Sequence, residues 1–206
     1  MDSRAEAGWL EAWRALGAEA PGGLHARLLA AWSEPQRHYH TLQHLEECLA
    51  LADALREAMT HPAEVVLALW FHDAVYDVRA HDNEARSAQW ADEALRDAGV
   101  VQEVRGRIAD LVMATCHGAV VPATRDAALL VDIDLAILGS REARFAEYEA
   151  QIRAEYAWAP PEVYATKRRE VLQGFLGRER IYSTDTMVAR FEAQARRNLS
   201  RAVWVA

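Results

Sequence analysis

Apolar residues recur at intervals of three and four along most of this chain. Segments such as HLEECLALADAL (44–55) and VVLALWFHDAV (65–75) show the spacing clearly. It places the apolar side chains on one face of an α-helix, whereas a half-buried strand would alternate. Glycine and proline occur between the periodic segments, for example in APGG (20–23) and APP (159–161). The pattern therefore predicts a series of helices separated by short turns.

The periodic segments predict an all-α fold, a single-domain helical bundle of about eight to ten helices. The segment LLVDIDLAIL (129–138) has the composition of a buried strand, but its length and its helical neighbours favour a buried helix. The last helix is predicted to begin after Thr184 or Asp185, one of which would be its N-cap. The chain is 51% apolar, which is enough for a sizeable core.

The chain shows no linker, internal repeat or low-complexity run that would divide it. Residues 1–206 are therefore predicted to form one domain, and this length is ordinary for a single domain. The functional core is expected over residues of about 30–140, with C-terminal helices in 141–206 packing on it.

Composition and charge narrow the class of protein. No apolar run is long enough to span a membrane, and the N-terminal MDSRAEAGWLEAW lacks the features of a signal peptide. The two cysteines, Cys48 and Cys116, do not indicate a disulfide framework, so a reducing, cytoplasmic setting is the simpler interpretation. The net charge of -8 argues against a nucleic-acid polymer as partner, because such binding needs a basic face.

Carboxylates occur in segments that are otherwise apolar. His72 and Asp73 follow the run VVLALWF, and Asp132 and Asp134 lie among leucine, valine and isoleucine. A buried carboxylate needs a partner, and a cation is the strongest one available. A metal ion would explain why a core tolerates these residues.

Two histidines add nitrogen ligands to this set. His40 and His44 are four residues apart, a spacing that stacks side chains on one face of a helix. Imidazole and carboxylate ligands together suit one divalent transition metal, Mn, Fe, Co, Ni or Zn, with Mg also possible. Too few protein ligands to complete an octahedron would leave positions for water and substrate. Water bound there has a lowered pKa and attacks as hydroxide.

A single histidine on a helix is more often structural or exposed, and His25, His61 and His81 are interpreted in that way. A His-Asp dipeptide alone also arises easily by chance. The ordered set of a histidine pair, a His-Asp doublet in an apolar helix and a buried aspartate some sixty residues later is much harder to obtain by accident.

This order resembles the HD superfamily of metal-dependent phosphohydrolases, which is defined by a histidine, a His-Asp doublet and a distal aspartate on a helical bundle. The likeness is greatest to a bacterial branch of predicted phosphohydrolases whose substrate is not known, and it covers residues of roughly 30–185. The motifs that carry it are RHYHTLQHL, WFHDAVYD, DNEARSA, ATCHG, DIDLAILG, IRAEYAW and FLGRERIY.

The resemblance implies roles for the histidines and the doublet. YHTLQHL is similar to a pattern in related cyclic-nucleotide phosphodiesterases, where the second histidine binds metal and the first donates a proton. By this likeness His44 is a metal ligand and His40 is the general acid. His72 and Asp73 match the doublet and are implied as metal ligands, and Asp73 is also counted among the catalytic residues.

The resemblance also implies the distal ligand and the number of ions. The stretch IDLAIL is similar to distal stretches of relatives and selects Asp134 as the ligand, with Asp132 in a supporting or core position. Relatives with two metals carry extra histidines between the doublet and the last aspartate. Only His81 and His117 lie in that interval here, so one metal ion is expected.

Further residues in the resembling motifs are predicted to act on the substrate. Glu84, in DNEARSA, could position a water and is counted as catalytic. The predicted substrate-binding residues are Arg37, His117, Arg153, Tyr156 and Arg178.

The function expected from these residues and this resemblance is hydrolysis of a small phosphorylated substrate, a nucleotide or related metabolite, by metal-bound hydroxide. One alternative is a non-catalytic module that binds metal and a nucleotide or signal molecule, although the full ligand set argues mildly against it. A two-iron oxidation is the other alternative, and the shortage of extra histidines argues against it. The sequence does not indicate an oligomeric state.

Overall fold

The computed structural model describes residues 3–116 and 122–205, and all regular structure within these ranges is helical. The predicted all-α fold is therefore confirmed. The helices are α1 Ser3–Ala15, α2 Leu24–Ala31, α3 Leu42–Ala54, α4 Pro62–Phe71, α5 Asn83–Asp97, α6 Gln102–Met113, α7 Arg125–Asp134, α8 Glu142–Glu155, α9 Pro161–Leu176, α10 Asp185–Met187 and α11 Ala193–Val205. A π turn, Val188–Glu192, joins α10 to α11, and short 3-10 helices occur at Arg56–Ala58 and Leu135–Gly139.

Two expectations about individual helices are also confirmed. The buried segment 129–138 is helical, formed by the end of α7 and the 3-10 turn that follows. The last helical stretch begins at Asp185, and Thr184 occupies its N-cap position with an extended backbone. Within residues 3–116 and 122–205, no helix is both long and apolar enough to cross a bilayer.

The chain forms two compact units, Met1–Ile133 and Asp134–Ala206. In the first unit, α4 packs against α1, α3, α5 and α6. Its residues Val65 and 67–71 are all fully buried, as expected for a helix that is apolar on every side. The helix that carries the His-Asp doublet at its C-terminal end is thus the centre of this unit.

In the second unit, α11 packs against α9 and against the 3-10 turn Leu135–Gly139. The Asn198 side-chain amide donates to the carbonyl oxygens of Leu138 at 2.9 Å and Ser140 at 2.8 Å. These bonds satisfy backbone acceptors left over at the end of a helix. The packing of residues 141–206 on a core around 30–140 stays a prediction.

Candidate metal centre

The His-Asp doublet lies where α4 ends. Phe71 is the last residue of α4, and His72 keeps helical backbone angles at the C-cap position. The His72 Nδ1 atom lies 2.8 Å from the carbonyl oxygen of Leu69. A carbonyl only accepts, so Nδ1 carries the proton and Nε2 presents a lone pair. The helix end lets both neighbours reach one point, because His72 Nε2 and Asp73 Oδ2 are 3.0 Å apart.

His44, in the first turn of α3, completes a group of three ligand atoms. Its Nε2 lies 3.2 Å from His72 Nε2 and 3.9 Å from Asp73 Oδ2. Bonds of about 2.0–2.2 Å from one ion to such atoms put neighbouring ligands roughly 3 to 3.5 Å apart. Two of the three separations fall in this range and the third, 3.9 Å, is slightly longer, so the group could hold one ion.

The group is largely withdrawn from water. His44 is 2% exposed, His72 is 1% exposed, and the Asp73 side chain is 17% exposed. The buried indole of Trp32 packs on both imidazoles, with its ring centroid 5.3 Å from that of His72 and 6.3 Å from that of His44. A low-dielectric wall of this kind strengthens the attraction between a cation and its ligands.

Two further side chains contact the His44 ring. Tyr39, which lies in the motif RHYHTLQHL, was expected to line the pocket or to fill the core, and Cys48 was not singled out for the site. The Tyr39 hydroxyl lies 3.0 Å from His44 Nδ1, the ring nitrogen that faces away from the group. The sulfur of Cys48, one helical turn further along α3, lies 3.7 Å from the same atom. Hydrogen bonds to the second nitrogen of a ligating histidine fix its orientation and its tautomer. The adjacency of Tyr39 to His40 in RHYHTLQHL was the available signal.

Replacing Tyr39 by phenylalanine is expected to weaken divalent-metal binding about 10–100-fold, because the ring remains but the bond that orients His44 is lost. The metal dissociation constant can be measured by competition with a fluorescent chelator. Tyr164→Phe makes the same chemical change in the second unit and should leave that constant unchanged. Equal dissociation constants for Tyr39→Phe and wild type would contradict the prediction.

Arg37 is bound to the backbone around the doublet. It is 4% exposed, and its guanidinium donates to the carbonyl oxygens of Asp73 at 2.6 Å, Ala74 at 3.1 Å and His40 at 3.3 Å. Its Nε also bonds Glu34 at 3.0 Å. These contacts join the segment before α3 to the turn after α4. They give Arg37 a positioning role, and its predicted contact with substrate stays a prediction.

Helix α5 also bonds to the connection that follows α4. The fully buried Ser87 hydroxyl accepts from Val75 N at 3.0 Å, and the Asn83 amide exchanges hydrogen bonds with the backbone of Asp77. Glu84 lies between them in the first turn of α5, half-buried. The predicted action of Glu84 on a water molecule stays a prediction.

His40 does not share a helix with His44. Helix α3 begins at Leu42, and the extended backbone of Thr41 separates His40 from it. The expectation of two imidazoles stacked on one helix face is therefore wrong. The His40 ring instead stacks on Tyr76, with centroids 4.1 Å apart, and its centroid is 6.0 Å from that of His44. Its role as general acid stays a prediction.

The distal aspartates lie at the end of α7. Asp132 is fully buried, whereas Asp134 is half-buried and is the first residue of the second unit. Asp134 as the fourth metal ligand stays a prediction. His117 lies outside the described residues.

Three predicted substrate-binding residues belong to the second unit. Arg153 donates to the carbonyl oxygen of Tyr156 at 2.7 Å, and its guanidinium carbon lies 4.7 Å from the ring centroid of Tyr164. Arg178 lies 4.5 Å from the ring centroid of Phe175. The contacts of Arg153 and Tyr156 bring these two residues together, while their contact with substrate stays a prediction.

Comparisons with known proteins add no information about this site. No protein-family model, no curated protein and no solved structure matches this chain. The assignment of a metal site accordingly rests on the distances, burial and hydrogen bonds of His44, His72 and Asp73.

Proposed function

We propose that this chain is an HD-type, metal-dependent phosphohydrolase that acts on a small phosphate ester, a nucleotide or related phosphorylated metabolite. The observation that carries the proposal is the group of His44 Nε2, His72 Nε2 and Asp73 Oδ2, three convergent atoms separated by 3.0 to 3.9 Å. Buried ionisable groups in such a cluster are expensive unless they serve a cation. These three residues are also the histidine and the His-Asp doublet that carry the resemblance to the HD superfamily.

The mixed nitrogen and oxygen donors suit one divalent transition metal, Mn, Fe, Co, Ni or Zn, with Mg as a weaker fit. When bound, such an ion lowers the pKa of a water molecule and polarises a phosphoryl oxygen. His44, His72 and Asp73 would hold the ion, and Asp134 is proposed as a fourth ligand.

The chain's own residues supply the remaining functions. Arg37 fixes the backbone of Asp73 and of His40 relative to each other, so the metal ligand and the proton donor keep a constant separation. His40 protonates the leaving oxygen of the ester, and Glu84 orients water. Trp32 keeps bulk water away from the imidazoles, which raises the strength of every charge interaction beside it.

A hydrolysis screen tests this function. Protein stripped of metal is supplied singly with Mn, Fe, Co, Ni, Zn or Mg and assayed for phosphate release from nucleotides and simple phosphate esters. Release that requires both an added ion and an intact Asp73 supports the proposal. Stoichiometric metal binding without release from any substrate in the panel would contradict it and favour a non-catalytic binding module.

A further inference from the structure

The His40 ring stacks on Tyr76, a residue for which the proposed function has no role so far. The centroids of the imidazole and of the Tyr76 phenol ring are 4.1 Å apart, and the two ring planes differ by 28°. Aromatic rings in such contact prefer particular mutual orientations. Tyr76 lies in WFHDAVYD, three residues after Asp73, in the connection between α4 and α5. The stack therefore joins the segment before α3 to the connection that carries Asp73.

The backbone on both sides of Tyr76 is bound to α5. The Val75 N–H donates to the Ser87 hydroxyl at 3.0 Å, and the Asp77 N–H donates to Asn83 Oδ1 at 3.1 Å. The Asn83 side-chain amide also donates to the carbonyl oxygen of Asp77 at 2.9 Å. Tyr76 is thus held between two residues whose main-chain groups are fixed to a helix.

Arg37 contacts both halves of the stack. Its guanidinium donates to the carbonyl oxygen of His40 at 3.3 Å and to that of Asp73 at 2.6 Å, and its central carbon lies 5.3 Å from the Tyr76 ring centroid. A cation over the face of a tyrosine ring is attracted to it. Arg37 is buried, so water competes little for these contacts. The main chain of His40 and the ring of Tyr76 are therefore tied to one side chain.

The His40 side chain needs support from its neighbours, because Thr41 is extended and separates it from α3. Outside a helix, an imidazole changes its χ1 and χ2 angles unless surrounding groups restrict them. The Tyr39 and His44 rings approach the His40 ring edge-on, with centroids at 4.9 and 6.0 Å. Tyr76 instead covers its face, and a ring that covers the face restricts the plane of the imidazole.

We propose that Tyr76 is a positioning residue, which sets the plane of the His40 imidazole for proton donation to the leaving oxygen. In giving His40 this donor role, the inference rests on the proposed function. As a hydroxide bonds to phosphorus, the bond from phosphorus to the leaving oxygen breaks. The electron pair of that bond stays on the leaving oxygen, which takes the proton from His40. A rotated imidazole donates poorly, since a hydrogen bond weakens steeply as its angle closes. Tyr76 supplies no proton and acts through His40.

Turnover of a nucleoside monophosphate by the metal-supplied chain tests this role. Tyr76→Leu stays apolar but removes the ring, and it should lower kcat about tenfold or more while KM stays within about twofold. Tyr76→Phe keeps the stacked ring and should retain kcat within about twofold. Trp90→Leu removes another half-buried ring of the first unit, one that contacts Phe71 and Arg27, and should also stay within about twofold. A wild-type kcat in Tyr76→Leu, or an equal loss in Trp90→Leu, would overturn the proposal.

The leaving group separates positioning from a purely structural effect. A nitrophenolate leaves without help from an acid, whereas an alcohol needs the proton. The loss of kcat in Tyr76→Leu should therefore be at least about threefold smaller with nitrophenyl phosphate than with the nucleoside monophosphate. In a His40→Gln background, Tyr76→Leu should change kcat by less than about twofold, since the donor that it positions is absent. Equal losses with both esters would overturn the positioning role.

Proton NMR of the metal-free chain tests the stack without an assay of activity, and it needs only the wild-type fold. The ring signals of His40 are identified by their loss in His40→Gln, and those of Tyr76 by their change in Tyr76→Phe. Cross-relaxation between the two sets of ring protons is expected, and its absence would overturn the proposal whatever the kinetics.

The two proposals fail in different ways. Hydrolysis by the wild-type chain with an unchanged kcat in Tyr76→Leu would overturn the role of Tyr76 and leave the proposed function standing. A wild-type chain that shows the cross-relaxation but hydrolyses no ester would remove the proposed function, and the role of Tyr76 in turnover would fall with it.

Discussion

If the proposed function holds, replacing Asp73 by asparagine is expected to abolish divalent-metal binding at this group and to lower turnover about a thousandfold. Asp73 Oδ2 is the carboxylate oxygen that faces His44 Nε2 and His72 Nε2. Asparagine has a similar shape, but its neutral amide oxygen binds a cation more weakly. Metal catalysis is worth several kcal/mol of transition-state stabilisation, and each 1.4 kcal/mol is about tenfold in rate.

Two measurements check this expectation. The metal-to-protein ratio after dialysis should fall from near one in wild type to near zero in Asp73→Asn, and phosphate release should fall with it. Asp77→Asn is the matched control, because it makes the same change at an exposed carboxylate four residues along, in the same connection between α4 and α5. A stoichiometric ion together with wild-type turnover in Asp73→Asn would contradict the assignment.

The position of the His-Asp doublet at the buried end of a helix was predictable, because the residues that indicate it are its immediate neighbours in the sequence. An aspartate directly after VVLALWF must be close to the core, and the end of a helix lets adjacent side chains converge. The structure confirms this placement, with Asp73 beside the ring of His72. The convergence of His44 on the doublet depends on how α3 packs against α4, which the sequence indicated only through the motif order.

The start of α3 was less predictable. The four-residue spacing of His40 and His44 suits a helix, but the sequence did not show that Thr41 is extended and that the helix begins only at Leu42. A spacing argument assumes that both residues lie in the same element. The contacts of this segment are also long-range, since Arg37 bonds both the carbonyl oxygen of His40 and that of Asp73, and a spacing pattern does not contain them.

The arginines show the same limit more generally. Arg37 was assigned to substrate because it lies in a motif, yet its donors bond the backbone of Asp73, 36 residues away. Arg168 lies in none of the motifs, yet it is buried and contacts Tyr148 and Glu149 on α8. Exposure and hydrogen-bond partners are long-range properties, so a sequence pattern identifies an arginine without fixing its role.

Replacing Gly139 by alanine is expected to lower the free energy of unfolding by about 2–3 kcal/mol. An added Cβ would lie 2.7 Å from the carbonyl oxygen and from the Cβ of Phe191, and 2.9 Å from the Tyr182 hydroxyl. The segment cannot shift easily, because Tyr182 donates to the carbonyl oxygen of Leu135 and Asn198 donates to that of Leu138. The clash therefore involves the backbone of Phe191 and a turn that hydrogen bonds from Tyr182 and Asn198 hold in place.

Gly174→Ala is the matched control, since an added Cβ there meets nothing within 4 Å. Gly174 lies inside α9, where alanine is favoured over glycine by roughly 0.5–1 kcal/mol, so this variant should be slightly more stable than wild type. Urea unfolding of both 206-residue variants, followed by far-ultraviolet circular dichroism, compares their midpoints at equal protein concentration. A midpoint for Gly139→Ala at or above that of Gly174→Ala would contradict the close packing of the 3-10 turn Leu135–Gly139 against the π turn Val188–Glu192. Opposite shifts from the same chemical change would show that the packing of the second unit, and not the loss of glycine as such, sets the cost.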